Sequence, residues 1–133
     1  MAKVVDNSDE YNKRLQEAIQ KAFVEIGMVA MGYASAEAPV DTGNLRSSIA
    51  YATKEREVII GTNVEYAPYI EFGTGVHAEG GGGRSTPWYY QDSKGEWHKT
   101  TGMKPQPFLR PAIENHLSEY EDILRDELGN VGN

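Results

Sequence analysis

Apolar residues recur every three or four positions through the first part of the chain. They form one stripe along a predicted helix, made of Leu15, Ile19, Ala22, Ile26, Val29 and Tyr33. The helix is predicted to begin with Ser8 as its N-cap and to end at Ala38-Pro39, because the residue before a proline disfavours the α region. Gly27 and Gly32 lie in its uncharged second half, where we expect close backbone approach and cover on more than one side, by the domain's own sheet or by another copy.

Two short apolar runs follow and then a second helical pattern. Residues 48–53 and 57–62 flank a charged turn, which predicts an antiparallel pair of strands. Residues 107–128 predict a helix that stops at Gly129. One face of this helix is expected to carry Leu109, Ile113, Leu117 (or His116), Tyr120, Leu124 and Leu128. The order predicts an α+β domain in which a long N-terminal helix and a C-terminal helix pack on a small antiparallel β-sheet.

The segment between the strands and the last helix has a different composition. Residues 66–75 predict a short helical turn that Gly73 ends. Residues 80–83 are consecutive glycines, whose ordering is costly without support from neighbours. Residues 88–100 predict a β-hairpin with aromatic arms. We therefore expect one domain over residues 1–133, with a mobile loop and hairpin at 75–100 and flexible ends at 1–7 and 129–133.

Charge is distributed unevenly along the chain, whose formal net charge is −7. Residues 114–133 are strongly acidic, whereas residues 84–110 carry a basic excess. An acidic chain is a poor general ligand for DNA, because phosphate contacts supply most non-specific affinity. The uneven pattern suits contacts between copies of the chain, although two solvated faces would produce the same pattern.

Several kinds of chemistry and location are disfavoured by the sequence. The chain has no cysteine, so disulfides and thiolate metal sites are excluded. The three histidines offer metal-ligand spacing only at His77 and Glu79, and the glycine tract lacks the lysine of a phosphate-binding loop. No signal peptide and no membrane-spanning stretch is recognised, so a soluble protein is expected. We expect no catalytic residue, no cofactor and no metal.

One tripeptide does suggest an enzyme. Asp41-Thr42-Gly43 is the triplet that carries the catalytic carboxylate of aspartic proteases, in which two copies share one proton. Those enzymes place the triplet after an apolar strand, whereas a helix end and Pro39 precede it here. We therefore interpret Asp41 or Thr42 as a cap on the backbone amides that follow, with Gly43 serving a tight turn. A small dimeric protease that uses Asp41 is the alternative from another class.

Three motifs occur in order along the chain: "APVDTGNLRSSI" (38–49), "VEYAPYIEFGT" (64–74) and "KPQPFLRPAIE" (104–114). With the long helix before the first motif and a helix that opens in the third, residues 8 to 128 resemble a known family. It is the tail-component family of long-tailed bacteriophages and prophages, the tail-completion or head–tail joining proteins of the neck.

This resemblance implies a virion protein without catalytic activity, made in the host bacterial cytoplasm and located at the head–tail junction. It also implies self-association into a ring, a hexamer or a dodecamer, that contacts other neck, connector and tail-tube proteins. Genome DNA would be able to pass through the ring lumen, and neither a membrane nor sequence-specific nucleic acid is an expected partner. A minor tail protein elsewhere in the tail is the alternative.

The motifs supply the candidate residues. Those expected in an interface or in the core are Leu45, Arg46, Tyr66, Tyr69, Glu71, Phe72, Gly73, Phe108, Leu109 and Arg110. Those expected in an assembly loop are Arg84, Trp88, Tyr89, Tyr90 and Trp97. Glu71 lies among aromatic residues and needs a partner, and an arginine can pair with a carboxylate in a specific geometry. The predicted partner is Arg46 or Arg110, inside the domain or across a subunit boundary.

Overall fold

A computed structural model describes residues 4–39, 43–92 and 94–131. The fold is α+β, as predicted. Its helices are α1 (Ser8–Glu37), α2 (Asn44–Ser48), α3 (Ala67–Phe72), α4 (Leu109–Glu114) and α5 (Leu117–Gly129), and its strands are β1 (Ala50–Thr53), β2 (Val58–Gly61), β3 (Trp88–Gln91) and β4 (Trp97–Thr100). Two short 3-10 turns, Gly75–His77 and Glu79–Gly81, lie between α3 and β3.

The long helix α1 is the element on which the others pack. It contacts α4 and α5 on one side and the β1–β2 pair on another. Its fully buried positions are all small, namely Ala22, Gly27, Ala30 and Ala34. Small side chains let neighbouring elements approach the helix closely, while the larger residues of the predicted stripe flank this contact and are half-buried.

The start of α1 differs from the prediction. Asn7 precedes the first helical residue, and no side chain caps the helix from that position. Ser8 is the first residue of the helix, so its assignment as N-cap is wrong. Its backbone N–H and its hydroxyl both donate to Asp6 Oδ1, at 2.9 and 2.6 Å, which explains why the hydroxyl does not cap the helix.

The two glycines of α1 have different surroundings. Gly27 is buried against β1, and a Cβ placed on it would lie 2.4 Å from the ring of Tyr51. The predicted close approach is therefore present at Gly27. Gly32 is exposed, with no atom within 4 Å of its virtual Cβ, so the protein's own sheet does not approach it, and approach by another copy stays a prediction.

The four strands form two separate antiparallel sheets of two strands each. In the first, Ala50 pairs with Gly61 and Thr53 with Val58, within the predicted runs. In the second, Trp88 pairs with Thr100 and Gln91 with Trp97, which is the predicted hairpin. A two-stranded sheet is marginal alone, so each pair depends on a surface that covers it. For β1–β2 that surface is α1.

The C-terminal helical region is broken, so the prediction of one helix over 107–128 is wrong. Helix α4 ends at Glu114 and α5 begins at Leu117, with His116 at φ −130° between them. The His116 ring stacks on Tyr33 of α1, with ring centroids 3.5 Å apart. Ile113 and Leu117, which the periodicity places on the same face as Tyr120, are exposed.

After the break, Tyr120 takes the inward position. It is buried against α4, and its hydroxyl donates to the carbonyl of Ala112. Burial raises the pKa of Tyr120 to about 12. The choice that the periodicity left open between Leu117 and His116 is thus resolved in favour of His116, which faces α1.

The buried core joins the three sequence motifs. Its members are Ala34, Ala38, Leu45, Ile49, Ala67, Phe108 and Ala112, with Phe108 the largest fully buried side chain. Leu45 and Phe108, which were candidates for either core or interface, belong to this core. The motifs therefore hold α1, α2, α3 and α4 together around one aromatic ring.

The two glycines of α1 provide a matched test of this packing. Gly27→Ala should lower the free energy of unfolding by about 1–3 kcal/mol, because the added methyl group displaces the Tyr51 ring. Gly32→Ala should instead raise it by about 0.5–1 kcal/mol, because alanine is the better helix former and the space is open. Urea denaturation followed by circular dichroism measures both, and equal effects would contradict the packing described here.

Candidate assembly site

The short helix α3 buries an acid and exposes aromatic rings. Glu71 is 3% exposed and Ala67 is also buried, whereas Tyr66, Tyr69 and Phe72 are exposed. Tyr69 is 61% exposed. This is the reverse of the usual distribution, in which large aromatic side chains are mostly buried and carboxylates are not.

The Glu71 carboxylate is fully hydrogen-bonded at the start of α4. Its Oε1 accepts from the backbone N–H groups of Phe108 and Leu109, at 3.2 and 2.7 Å, and its Oε2 accepts from Arg110 Nε at 3.0 Å. The first backbone amides of a helix have no partner within the helix, so a carboxylate from another element can satisfy them. Glu71 thereby fixes α4 against α3.

Arg110 extends this network to a third segment. Its Nη2 donates to the Glu71 carbonyl at 2.9 Å and to Glu79 Oε1 at 3.1 Å, and its Nη1 donates to Glu79 Oε2 at 3.0 Å. Its guanidinium also lies 4.8 Å from the centre of the Phe72 ring. The hydrogen bonds to Glu79 and Glu71 raise the pKa of Arg110 above its usual value. The hydrogen bond from Arg110 lowers the pKa of Glu79.

The prediction that Glu71 pairs with Arg46 or Arg110 is confirmed, and the partner is Arg110. Arg46 instead donates from Nη2 to the carbonyl of Ala38 at 3.0 Å, at the end of α1. Glu79 was not predicted to take part. Its place in the network depends on how the 3-10 turns fold back, which no local pattern in the sequence encodes.

The segment after α3 is anchored to the chain that precedes α4. Gly73 ends α3 with a φ of 82°, as predicted. The backbone N–H groups of Thr74 and Val76 donate to the carbonyls of Met103 and Thr101, at 2.9 and 3.0 Å. The two backbones lie so close that a Cβ on Gly75 would be 2.0 Å from the Thr101 oxygen. These contacts fix the two ends of the segment 75–100 to each other. The mobility expected of the segment itself stays a prediction.

The β3–β4 hairpin is closed by an aspartate-centred turn. Asp92 Oδ1 accepts from the backbone N–H groups of Lys94 and Glu96, both at 2.9 Å, and Oδ2 lies 2.7 Å from His98 Nε2. The hydrogen bond with His98 is the main cause of a lowered pKa at Asp92. Asp92, Glu96 and His98 also have potential metal-ligand atoms within 4.8 Å of one another. The turn hydrogen bonds already account for this cluster, so it does not indicate a metal site.

The aromatic residues of the predicted assembly loop lie at the surface. Tyr89 and Tyr90 are exposed and Trp97 is 67% exposed, while Trp88 is half-buried beneath the guanidinium of Arg84, 5.6 Å from its ring. A groove of about 880 Å³ connects this hairpin to α3, with Tyr66, Tyr69, Ile70 and Tyr90 among its lining residues. On the other side of α3, a groove of about 410 Å³ is lined by Phe72, Leu109 and Arg110 among others.

The aspartic-protease triplet is only partly described. Asp41 and Thr42 lie outside the described residues, so the structure does not test their assignment as a cap. Gly43 has a φ of 76°, and its carbonyl accepts the Ser47 N–H at 3.0 Å as α2 begins. Gly43 therefore leads directly into a helix, and its left-handed conformation provides the tight turn expected of it.

The fold and its surface define a class of protein. A small α+β domain that exposes aromatic rings on one helix and one hairpin has the surface typical of an assembly component. Among the residues that the structure describes, no helix combines the length and apolar composition needed to cross a bilayer.

The family follows from a direct comparison. Residues 2–73 match the family model described as "Bacteriophage HK97-gp10, putative tail-component". Because the match covers more than half of the chain, the protein belongs to this bacteriophage tail-component family. The match spans α1 to α3 and stops at Gly73, before the third motif. Neither a curated protein nor a solved structure matches the chain. The protein is thus a structural component of the phage tail.

The Glu71 network gives a second testable prediction. Glu71→Ala should lower the free energy of unfolding by about 3 kcal/mol, because two backbone N–H groups lose their acceptor in a buried position. Glu71→Gln should cost less, about 1–2 kcal/mol, because its amide oxygen can still accept from those groups without the charge. Chemical denaturation at neutral pH measures both variants. An unchanged stability in Glu71→Ala would contradict the role given to this carboxylate.

Proposed function

We propose that this tail component acts in the phage neck, where it completes the tail or joins the head to the tail as a ring of identical subunits, a hexamer or a dodecamer. The observation that carries this proposal is family membership over residues 2–73. The helix at the end of that match exposes aromatic rings, which supports it. A ring of this kind would contact the connector on one side and tail-tube proteins on the other, at the head–tail junction.

The surface supports a binding role. Aromatic residues contribute large contact areas at small entropic cost, and clusters of them are enriched at the energetic centres of interfaces. Tyr66, Tyr69 and Phe72 are held outward because the opposite side of α3 carries the buried Glu71 and Ala67. The exposed rings are therefore placed by the core and are available to a partner.

We propose further that the protein has no enzymatic activity. Gly43 directly precedes α2, and Asp41 or Thr42 would cap the backbone amides that follow, which would account for the triplet without proteolysis. A location elsewhere in the tail, as a minor tail protein, is the alternative within the virion. The two virion locations differ in which assembly intermediate accumulates when the protein is missing.

The test is a phage whose gene for this chain carries an early stop codon. Electron micrographs of its lysate should show filled heads and finished tails that are not joined, because the neck ring is missing. Heads joined to tails of abnormal structure would instead place the protein elsewhere in the tail and contradict the neck assignment.

A shortened chain tests the part played by the hairpin. Replacing residues 86–99 by a short Gly-Ser linker removes β3 and most of β4 but keeps Glu79, Thr101 and Met103, which anchor the base of the segment. The shortened protein should unfold cooperatively like the full chain but fail to restore joined particles. Restored particles would show that the hairpin is dispensable, and loss of the folded state would show that it belongs to the core.

A further inference from the structure

One face of the β3–β4 hairpin has no cover in the described structure. The register places Tyr89 opposite Lys99 and Gln91 opposite Trp97, so these four side chains share one face, called here the hairpin outer face. All four are exposed. Within one copy the strands β3 and β4 pack mainly on each other. A two-stranded hairpin with exposed aromatic rings is marginal in water and is stabilised by docking on another surface.

One side of α5 has the complementary composition. Leu117, Glu121, Leu124 and Leu128 follow at spacings of four, three and four, so they lie along one side of the helix, called here the leucine flank. Leu117 is 53% exposed. A groove of about 550 Å³ runs along this side and is lined by Glu121, Leu124, Arg125, Leu128 and Gly129. A neighbouring side of α5 faces α1, where Glu127 pairs with Lys21 at 3.7 Å.

The charges of the two surfaces are also complementary. Lys99 on the hairpin outer face and Glu121 on the leucine flank form no ion pair within the described part of the chain. Arg125, beside Glu121, is already paired with Asp122 at 3.0 Å. Lys99 among aromatic rings therefore matches Glu121 among leucines, since neither has an ion-pair partner in the described part of the chain, and such charge pairs give an interface its orientation.

We propose that the hairpin outer face of one copy docks on the leucine flank of the next copy, with Trp97 seated against Leu124 and Leu128 and Lys99 beside Glu121. The contact joins two different surfaces of the same chain, so it is heterologous and builds a closed ring or an open helical filament. In the proposed neck ring, this contact would join neighbouring copies. The contact depends on the proposed function only in that the neck requires the ring to close.

The absence of cysteine in the chain allows a direct test. Lys99→Cys and Glu121→Cys are combined in one protein, which is oxidised gently and run on a denaturing gel without reductant. A heterologous contact should give a ladder of covalent dimers, trimers and larger species, because each copy carries both halves of the link. Each single-cysteine variant is the control and should stop at dimers. Only monomers and dimers from the double variant would overturn the proposal.

Charge reversal and truncation test the same contact without a disulfide. Lys99→Glu or Glu121→Lys should weaken self-association by about tenfold, and the two together should restore it. Trp97→Ala should weaken it by about 30-fold, whereas Tyr11→Ala, which truncates an exposed ring on α1, should have no effect. Sedimentation velocity over a range of protein concentrations measures these changes. Failure of the double reversal to restore association would overturn the pairing.

The self-association experiments and the phage experiment on the neck function can fail independently. A missing ladder, in a phage that still needs the protein to join heads to tails, would reject this contact and keep the neck function. A ladder that forms, in a phage that assembles joined particles without the protein, would keep the contact and reject the neck function.

Discussion

The buried carboxylate of Glu71 is the interaction on which the arrangement of this protein depends. It accepts hydrogen bonds from two backbone N–H groups at the start of α4 and from one side-chain N–H of Arg110. Arg110 in turn donates a hydrogen bond to Glu79, which follows α3. Burying a charge is costly unless its hydrogen bonds are satisfied, and here both oxygens are satisfied. Because Glu71 occupies the inner side of α3, the aromatic residues of that helix have only the outer side left. One buried acid thus sets both the core and the exposed surface.

The core can accept this arrangement because its other members are small. The buried face of α1 consists of alanines and Gly27, so the β1–β2 pair and the C-terminal helices come close to the helix axis. Phe108 fills the centre, next to the amides that Glu71 holds. A core packed in this way leaves little room for large side chains in the interior of a small protein. It is consistent with a surface rich in exposed aromatic rings, which an assembly protein uses for its partners.

Local patterns in the sequence predicted those features that depend on neighbours along the chain. The period of α1, the two strand pairs and the turn at Gly73 all have such patterns, and each is confirmed. The Glu71–Arg110 pair joins distant motifs, and the sequence predicted it only as one of two alternatives. The break at His116 was missed because it depends on stacking against Tyr33, which lies far away in sequence. Ser8 was misassigned because Asp6 competes for its hydroxyl. Glu79 was missed because its position depends on the fold of the glycine-rich segment rather than on any periodicity.

We propose that the aromatic rings of α3 serve assembly and not folding. The most direct measurement is the yield of joined particles when Tyr69→Ser protein is the only copy supplied, compared with the unfolding free energy of the same variant. The Tyr69→Ser variant should keep an unfolding free energy within about 0.5 kcal/mol of the parent, as at other exposed positions, and should give far fewer joined particles. A normal yield of joined particles, or a protein that no longer folds, would contradict it.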